Sequence, residues 1–72
     1  MTKLTPRQLQ VLILLKDGVD TQDIKTQLHI SISTVRSHMK AIYTRLGIDP
    51  YKKTNKKILA VITAIKEGII TL

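Results

Sequence analysis

Apolar residues recur every three or four positions along most of the chain, which is the spacing of an amphipathic helix. The clearest example is a stretch whose apolar members are Ile32, Val35, Met39, Ile42 and Leu46. Strand-like alternation is confined to residues 30–33, a segment that is too short and too rich in serine for a strand. The pattern predicts an all-α fold.

Capping and stop signals divide this pattern into four predicted helices. Each begins after a residue that caps helix N-termini well: Thr5 (followed by Pro6), Asp20, Ser31, and either Thr54 or Asn55. Glycine, which commonly follows the last turn of a helix, ends the first, third and fourth at Gly18, Gly47 and Gly68. The second helix leads out through His29 and Ile30. After Gly47, Asp49 before Pro50 indicates a turn.

The link between the second and third helices is tight, since it consists of Leu28, His29, Ile30 and Ser31. A turn of about three to four residues between two helices is typical of the helix-turn-helix, whose second helix enters the DNA major groove. At about 100° per residue, the side of the third helix opposite its apolar stripe carries Ser33, Arg36, Ser37, Lys40 and Thr44. This side has no carboxylate and combines small side chains with long donors, as a base-reading helix requires. The alternative is an ordinary solvated face, although such faces usually mix both signs of charge.

Composition points to the same class of partner. The chain has 72 residues, a formal charge of +7 and no cysteine, which favours one domain over residues 1–72 in a reducing compartment. Between Lys25 and Lys66 there are nine bases and one acid, Asp49. A basic block of this kind suggests a polyanion such as nucleic acid, with a merely solubilising surface as the alternative.

An ordered set of residues then extends over nearly the whole chain: Leu4-Thr5-Pro6-Arg7, Val11-Leu12, Gly18, Asp23-Ile24, Leu28, Ile30-Ser31, Thr34-Val35-Arg36, His38, Ile42, Leu46-Gly47-Ile48, Ala60-Val61, Ala64, Gly68 and Ile69-Ile70. With this set the chain resembles the LuxR-type (GerE-type) helix-turn-helix domain of bacterial transcription regulators. The resemblance implies a four-helix domain that dimerises through its last helix and binds a promoter as a two-fold pair.

The resemblance also implies site residues, carried over by position. The base edges of double-stranded DNA would face Arg36, Ser37 and Lys40, in agreement with the helical wheel, and the recognition helix would run from about Ile32 to Leu46. The DNA backbone would lie near Thr21, Ser31, Ser33 and Thr34, although Thr21 could equally be a simple first-turn residue.

Three further residues are interpreted from their own surroundings. His38 lies beside the buried stripe, where we expect it to bond a backbone group or a phosphate. A metal role is disfavoured because His29 is the only other histidine. Lys52 and Lys53 belong to a lysine run that could follow the flanking DNA backbone or could simply be solvated.

The last predicted helix is apolar on more than one side, and a small domain can bury only one of them. The surplus suggests a homodimer contact through Ile58, Val61, Ile62 and Ile65. The alternative is that all of these side chains pack within one copy.

The chain departs from the family pattern in three places. Gln8 and Gln10 replace an acidic pair, which removes any salt bridge made from those positions. Lys25 replaces a small residue and should point outward. About six residues around Pro50 and Tyr51 appear as an insertion before the last helix, with Tyr51 expected to pack over Pro50.

Several functions are excluded or held as alternatives. No nucleophile–base pair or glycine-rich phosphate loop is present, so we expect no enzyme, no cofactor and no small-molecule ligand. No apolar run is long enough for a membrane span, and we expect a soluble cytoplasmic protein. One alternative is an interaction module that pairs with a longer LuxR-type regulator and blocks it, and another is a sigma-like DNA-binding region. The immediate start at Met1 mildly favours a complete small regulator over an excised output domain.

Overall fold

The computed structural model of the chain describes residues 3–72, so Met1 and Thr2 of the predicted 1–72 domain lie outside the described residues. Four helices follow one another: α1 (Pro6–Lys16), α2 (Thr21–Leu28), α3 (Ile32–Arg45) and α4 (Lys56–Lys66). Residues 3–72 contain no strand. The all-α, four-helix prediction is therefore confirmed, with α3 ending one residue before the predicted Leu46, which is its C-cap.

The predicted capping residues hold the start of every helix. The side chains of Thr5, Asp20, Ser31 and Asn55 each accept a hydrogen bond from a backbone N–H in the first turn that follows, which satisfies a donor without an intrahelical partner. Asn55, rather than Thr54, caps α4.

Gln8 helps to cap α1. The sequence analysis considered only the acidic residue that Gln8 replaces and did not predict this role. Its side-chain Oε1 accepts from the backbone N–H of Thr5 at 3.1 Å, while Thr5 Oγ1 accepts from the Gln8 N–H at 3.1 Å. This reciprocal pair is a capping box. Gln8 is accordingly buried, at 8% exposure, and fixes the first turn of α1.

All four helices end with the same arrangement of backbone hydrogen bonds, but α2 makes it without glycine. The N–H groups of His29 and Ile30 reach back to the carbonyls of Thr26 and Lys25, and His29 adopts a left-handed conformation with φ of 55°. Gly18, Gly47 and Gly68 occupy the equivalent positions after α1, α3 and α4. A three-residue link, His29 to Ser31, then turns the chain into α3, as the helix-turn-helix prediction requires.

The core is centred on α3, against which α1, α2 and α4 all pack. Val35 and Ile42 of α3 are fully buried, as are Val11 and Leu12 of α1 and Ile24 of α2. The apolar stripe predicted for α3 is buried along its length, apart from the half-buried Ile32 at the first turn.

α4 packs against the core through small side chains, whereas the packing predicted from the sequence rested on its large apolar side chains. Its two fully buried residues are Ala60 and Ala64, which lie one turn apart and permit close packing against α1 and α3. Ile58, Leu59 and Ile62 are 57%, 40% and 45% exposed. The alternative in which all the apolar residues of α4 pack within one copy is therefore wrong.

Tyr43 is the aromatic residue of this core, at 6% exposure. Burial raises the pKa of its phenol above the ordinary value of 10.0, because the phenolate would lose hydration. The unfolded chain consequently ionises first as the pH rises, which links Tyr43 to stability in alkali.

We predict that His29→Gly stabilises the domain. A left-handed residue other than glycine costs about 1–2 kcal/mol, and the greater freedom of glycine in the unfolded chain offsets roughly 0.5–1 kcal/mol of that gain. Urea denaturation should show a net increase of about 0.5–1 kcal/mol in the free energy of unfolding.

Gly47→Ala is the matched control for this measurement. A Cβ at Gly47 would meet no atom within 4 Å, so its expected loss of about 1 kcal/mol reports the backbone conformation alone. Destabilisation by His29→Gly would instead mean that the imidazole itself holds the turn.

We also predict that Tyr43→Phe removes part of the alkaline loss of stability. The contribution of Tyr43 is complete below the unfolded pKa of about 10 and is lost as the pH rises through the higher folded pKa. Above about pH 10, the free energy of unfolding should therefore fall more steeply with pH for wild type than for Tyr43→Phe. Denaturant titrations across this range measure it, and a difference that stays constant with pH would contradict the assignment.

Candidate nucleic-acid interface

The outward face of α3 has the composition predicted for a recognition helix. Its residues Ser33, Arg36, Ser37, Lys40 and Thr44 are all exposed, whereas Val35, Met39 and Ile42 on the opposite side are buried. The helix therefore separates a side that packs from a side that is free to bind. Along the free side, the two long cationic side chains stand one turn apart among short hydroxyl side chains.

The N-terminus of α3 brings three of the predicted backbone-contact residues together. Ser31 Oγ lies 3.0 Å from Ser33 Oγ and 2.8 Å from Thr34 Oγ1, and it accepts the Thr34 backbone N–H at 3.1 Å. The first turn of α3 has no acidic residue. Hydroxyl and backbone donors at an uncompensated helix N-terminus suit a phosphate group.

Thr21 has less favourable electrostatic surroundings. It is the first residue of α2, next to the capping Asp20, whose carboxylate accepts the Asp23 backbone N–H at 2.9 Å. These two carboxylates already compensate the positive end of the α2 dipole, and they would repel a phosphate. Thr21 itself is half-buried.

His38 and Arg45 lie on the flank of α3 that faces away from the loop before α4. His38 is half-buried, and Arg45 is exposed and donates to the backbone carbonyl of Lys3. Arg45 is thereby engaged near the N-terminus of the chain, whereas Arg36 and Lys40 point from the outward face.

The loop between α3 and α4 lies beside the outward face of α3. The sequence alone did not explain the role of this loop. Lys52 and Lys53 are exposed there. Tyr51 is 78% exposed rather than packed over Pro50, and the Nζ of Lys40 stands 5.1 Å from the centroid of its ring. The sequence shows that Tyr51 is an aromatic residue in a basic loop, but only the fold shows that it lies beside Lys40.

Little of the positive charge is neutralised within the protein. Among residues 3–72 the structure contains one ion pair, between Lys16 and Asp17 at 3.6 Å, and it lies at the end of α1. Arg36 and Lys40 of α3 and Lys52 and Lys53 of the following loop therefore have no carboxylate partner within the described residues and are available to an external anion. Nine bases against one acid between residues 25 and 66 make this half of the chain strongly electropositive.

The predicted dimer residues divide by exposure. Ile58 and Ile62 are exposed and Val61 and Ile65 are half-buried against the core. Leu59, which was not in the predicted set, is also exposed at 40%. We call the apolar surface formed by these residues of α4 the α4 face: Ile58, Leu59, Val61, Ile62 and Ile65.

Two other kinds of site can be considered over the described part of the chain. Within residues 3–72, no group of three or more acidic or histidine side chains could hold a metal ion. None of the helices there combines the length and the hydropathy needed to cross a bilayer.

Comparison with known proteins agrees with this geometry. Residues 2–50 match the family described as bacterial regulatory proteins, luxR family. The chain is also similar to the response regulator protein VraR of Staphylococcus aureus (strain NCTC 8325 / PS 47), Staphylococcus saprophyticus and Staphylococcus epidermidis. Each is 36% identical over 45 residues, which is 62% of this chain and 22% of the relative.

The chain thus spans about a fifth of the length of these curated relatives. The family match contains α1, α2 and the whole of α3, and it ends at residue 50, within the loop that leads to α4. This family consists of regulators rather than enzymes, in agreement with the lack of a catalytic grouping in the sequence. The protein belongs to the LuxR family of bacterial regulatory proteins and carries its DNA-binding helix-turn-helix domain.

Proposed function

We propose that this chain is a sequence-specific DNA-binding transcription regulator that inserts α3 into the major groove and acts as a homodimer. The observation that carries the proposal is the outward face of α3, which is exposed, basic and free of carboxylates in a helix whose other side is buried. Membership of a family of DNA-binding regulators supports it. A DNA partner implies action in the cytoplasm, by a single domain that comprises residues 1–72.

Arg36, Ser37 and Lys40 are the proposed base-contact residues. An arginine can donate two hydrogen bonds to guanine in the major groove, whereas a lysine donates from a single ammonium. Ser37 lies between them and is small enough to let the helix approach the base edges closely.

The proposed phosphate contacts surround this centre. Ser31, Ser33 and Thr34 offer hydroxyl groups at the N-terminus of α3, and Lys52 and Lys53 offer charge from the loop. His38 and Thr21 are proposed as weaker contacts, Thr21 because of its two acidic neighbours. Such contacts fix the orientation of a protein on DNA without reading its sequence.

Substitutions of Arg36 and Lys53 should distinguish base-specific contacts from non-specific attraction to the DNA phosphates. Arg36→Ala should relax discrimination at one base-pair position by about 1–3 kcal/mol, and Lys53→Ala should weaken all duplexes alike and reduce the salt slope by about one unit. Fluorescence anisotropy at several salt concentrations measures both, with the duplex that wild type enriches from a random library and its single-base variants.

Two results would overturn the proposal. Identical behaviour of the two variants would mean that the outward face of α3 does not read bases. A wild-type affinity that does not fall as salt increases would remove DNA as the partner, because displacement of counterions from phosphates makes such binding strongly salt-dependent.

The homodimer is proposed from the α4 face. An exposed group of isoleucine and leucine side chains on one helix is a surface that a second copy can cover symmetrically. Two α3 helices related by a two-fold axis would read two half-sites of a palindrome. A domain of this size has a small core, so burial of the α4 face between two copies would also stabilise the fold.

Ile62→Glu should prevent this association, because a carboxylate would be buried without a partner in the dimer. Sedimentation velocity over a concentration series should show a monomer–dimer equilibrium for wild type and a folded monomer for the variant. Ile13→Glu is the control, since Ile13 is an exposed apolar residue of α1 at 38% exposure and should leave association intact. A wild type that remains monomeric throughout, or an Ile62→Glu variant that still dimerises, would contradict the proposal.

The alternative function uses the α4 face alone. A module that pairs with a longer LuxR-type regulator would block it by forming a heterodimer, and would need no binding by its own α3. Wild type with strong dimerisation and no salt-dependent DNA binding would favour this alternative. The exposed cations of α3 favour the DNA-binding function, since a blocking module has no use for them.

A further inference from the structure

Tyr51 is the one exposed aromatic ring in residues 3–72 that a cationic side chain contacts. The cation is the ammonium of Lys40, a proposed base-contact residue, at 5.1 Å from the ring centroid. An ammonium over an aromatic face is attracted by the negative potential of the ring quadrupole. The recognition helix and the loop after it are therefore joined at a residue that the proposed function uses.

Hydrogen bonds within the loop hold the backbone that carries the Tyr51 ring. Asp49 accepts two backbone N–H groups, from Tyr51 through its carboxylate at 2.9 Å and from Lys52 through its carbonyl at 3.2 Å. The Lys52 carbonyl in turn accepts the Thr54 backbone N–H and the Lys56 ammonium, each at 3.0 Å. These bonds close a compact turn whose two ends are fixed by the buried Ile48 and by the first turn of α4.

The turn and α3 enclose an open groove of about 300 Å³ on the recognition side of the domain. Arg36, Met39 and Lys40 line it from α3, and Pro50 and Tyr51 line it from the loop. Both long cations of the outward face thus border the groove, and Tyr51 forms the wall that Lys40 approaches. The ring stands beside the surface that DNA would cover.

We propose that Tyr51 is a positioning residue that holds the Lys40 ammonium for contact with DNA. A free lysine side chain samples many rotamers, and part of this conformational entropy is lost whenever its ammonium is fixed on a partner. The ring restricts Lys40 before binding, so that less entropy is lost on the DNA. This proposal rests on the proposed DNA-binding function and assigns a role to the part of the loop after residue 50, which the family match does not cover.

The test is a double-mutant cycle between Tyr51 and Lys40, with the library-enriched duplex as the probe. Tyr51→Leu, which keeps an apolar side chain without a ring, should weaken binding by up to about two- to fivefold, the equivalent of an exposed cation–π contact. Tyr51→Phe keeps the ring and should bind as wild type. In a Lys40→Met background, Tyr51→Leu should cause no further loss.

Nuclear magnetic resonance gives a readout that a general effect on folding would not produce. The ring current of Tyr51 should shift the Lys40 ε-methylene protons upfield in free wild type and in Tyr51→Phe, and this shift should vanish in Tyr51→Leu. Lys53→Ala is the matched control within the same loop. It should weaken binding equally in the wild-type and the Lys40→Met backgrounds, because it acts through charge alone.

Three results would overturn the proposal. Tyr51→Leu could bind as wild type while Lys40→Met weakens binding, or its effect could persist undiminished in Lys40→Met. Tyr51→Phe could also lose as much affinity as Tyr51→Leu, which would assign the effect to the hydroxyl group. Failure of the DNA-binding function itself gives a distinct result, in which wild type enriches no duplex and Lys40→Met changes nothing.

Discussion

The packing of α3 is the constraint on which the rest of the structure depends. Three helices pack against it, and the burial of Val35, Met39 and Ile42 fixes its rotation about its own axis. A rotation of about 100°, equal to one residue, would move polar side chains into the core and is strongly disfavoured. The outward face, with Arg36 and Lys40, is therefore determined by the core.

The N-termini of α2 and α3 differ in charge because only α2 has acidic residues there. α2 begins with Asp20 and Asp23, whereas α3 begins with Ser31 and has no acid in its first turn. Both caps satisfy backbone donors equally well, but only the neutral cap leaves the positive end of the helix dipole available to an anion. Acidic residues thus stand at the start of α2 and not at the start of α3, although either residue type would support the fold.

Much of the fold could be predicted because its signals are local. Caps such as Ser31, stop glycines such as Gly47 and the apolar period of α3 all act within a few residues, and the helix boundaries followed from them. The left-handed His29 was less accessible, because a residue other than glycine gives no clear signal for that conformation. Gln8 was missed for a different reason: the capping box was readable at its spacing from Thr5, but the residue was judged by its lost charge.

The features that depend on tertiary distance could not be derived in this way. Ala60 and Ala64 form the buried line of α4 because close approach of helices favours small side chains, whereas the larger residues on the same helix dominated the sequence pattern. The contact between Lys40 and Tyr51 joins a residue of α3 to a loop residue that lies just beyond the end of the family match at residue 50. Neither hydrophobic period nor charge could place them together.

The loop after α3 has two physical consequences that a simple spacer would lack. Its Lys52 carbonyl accepts the ammonium of Lys56, in the first turn of α4, and its Tyr51 ring contacts Lys40 of α3. The same few residues therefore contact the first turn of α4 and the outward face of α3. Under the proposed function, a change of length in this loop would alter the dimer helix and the base-contacting helix together, because one hydrogen-bonded turn supports both. The loop after α3 is thus, under the proposed function, part of the DNA-binding surface as well as the connection to α4.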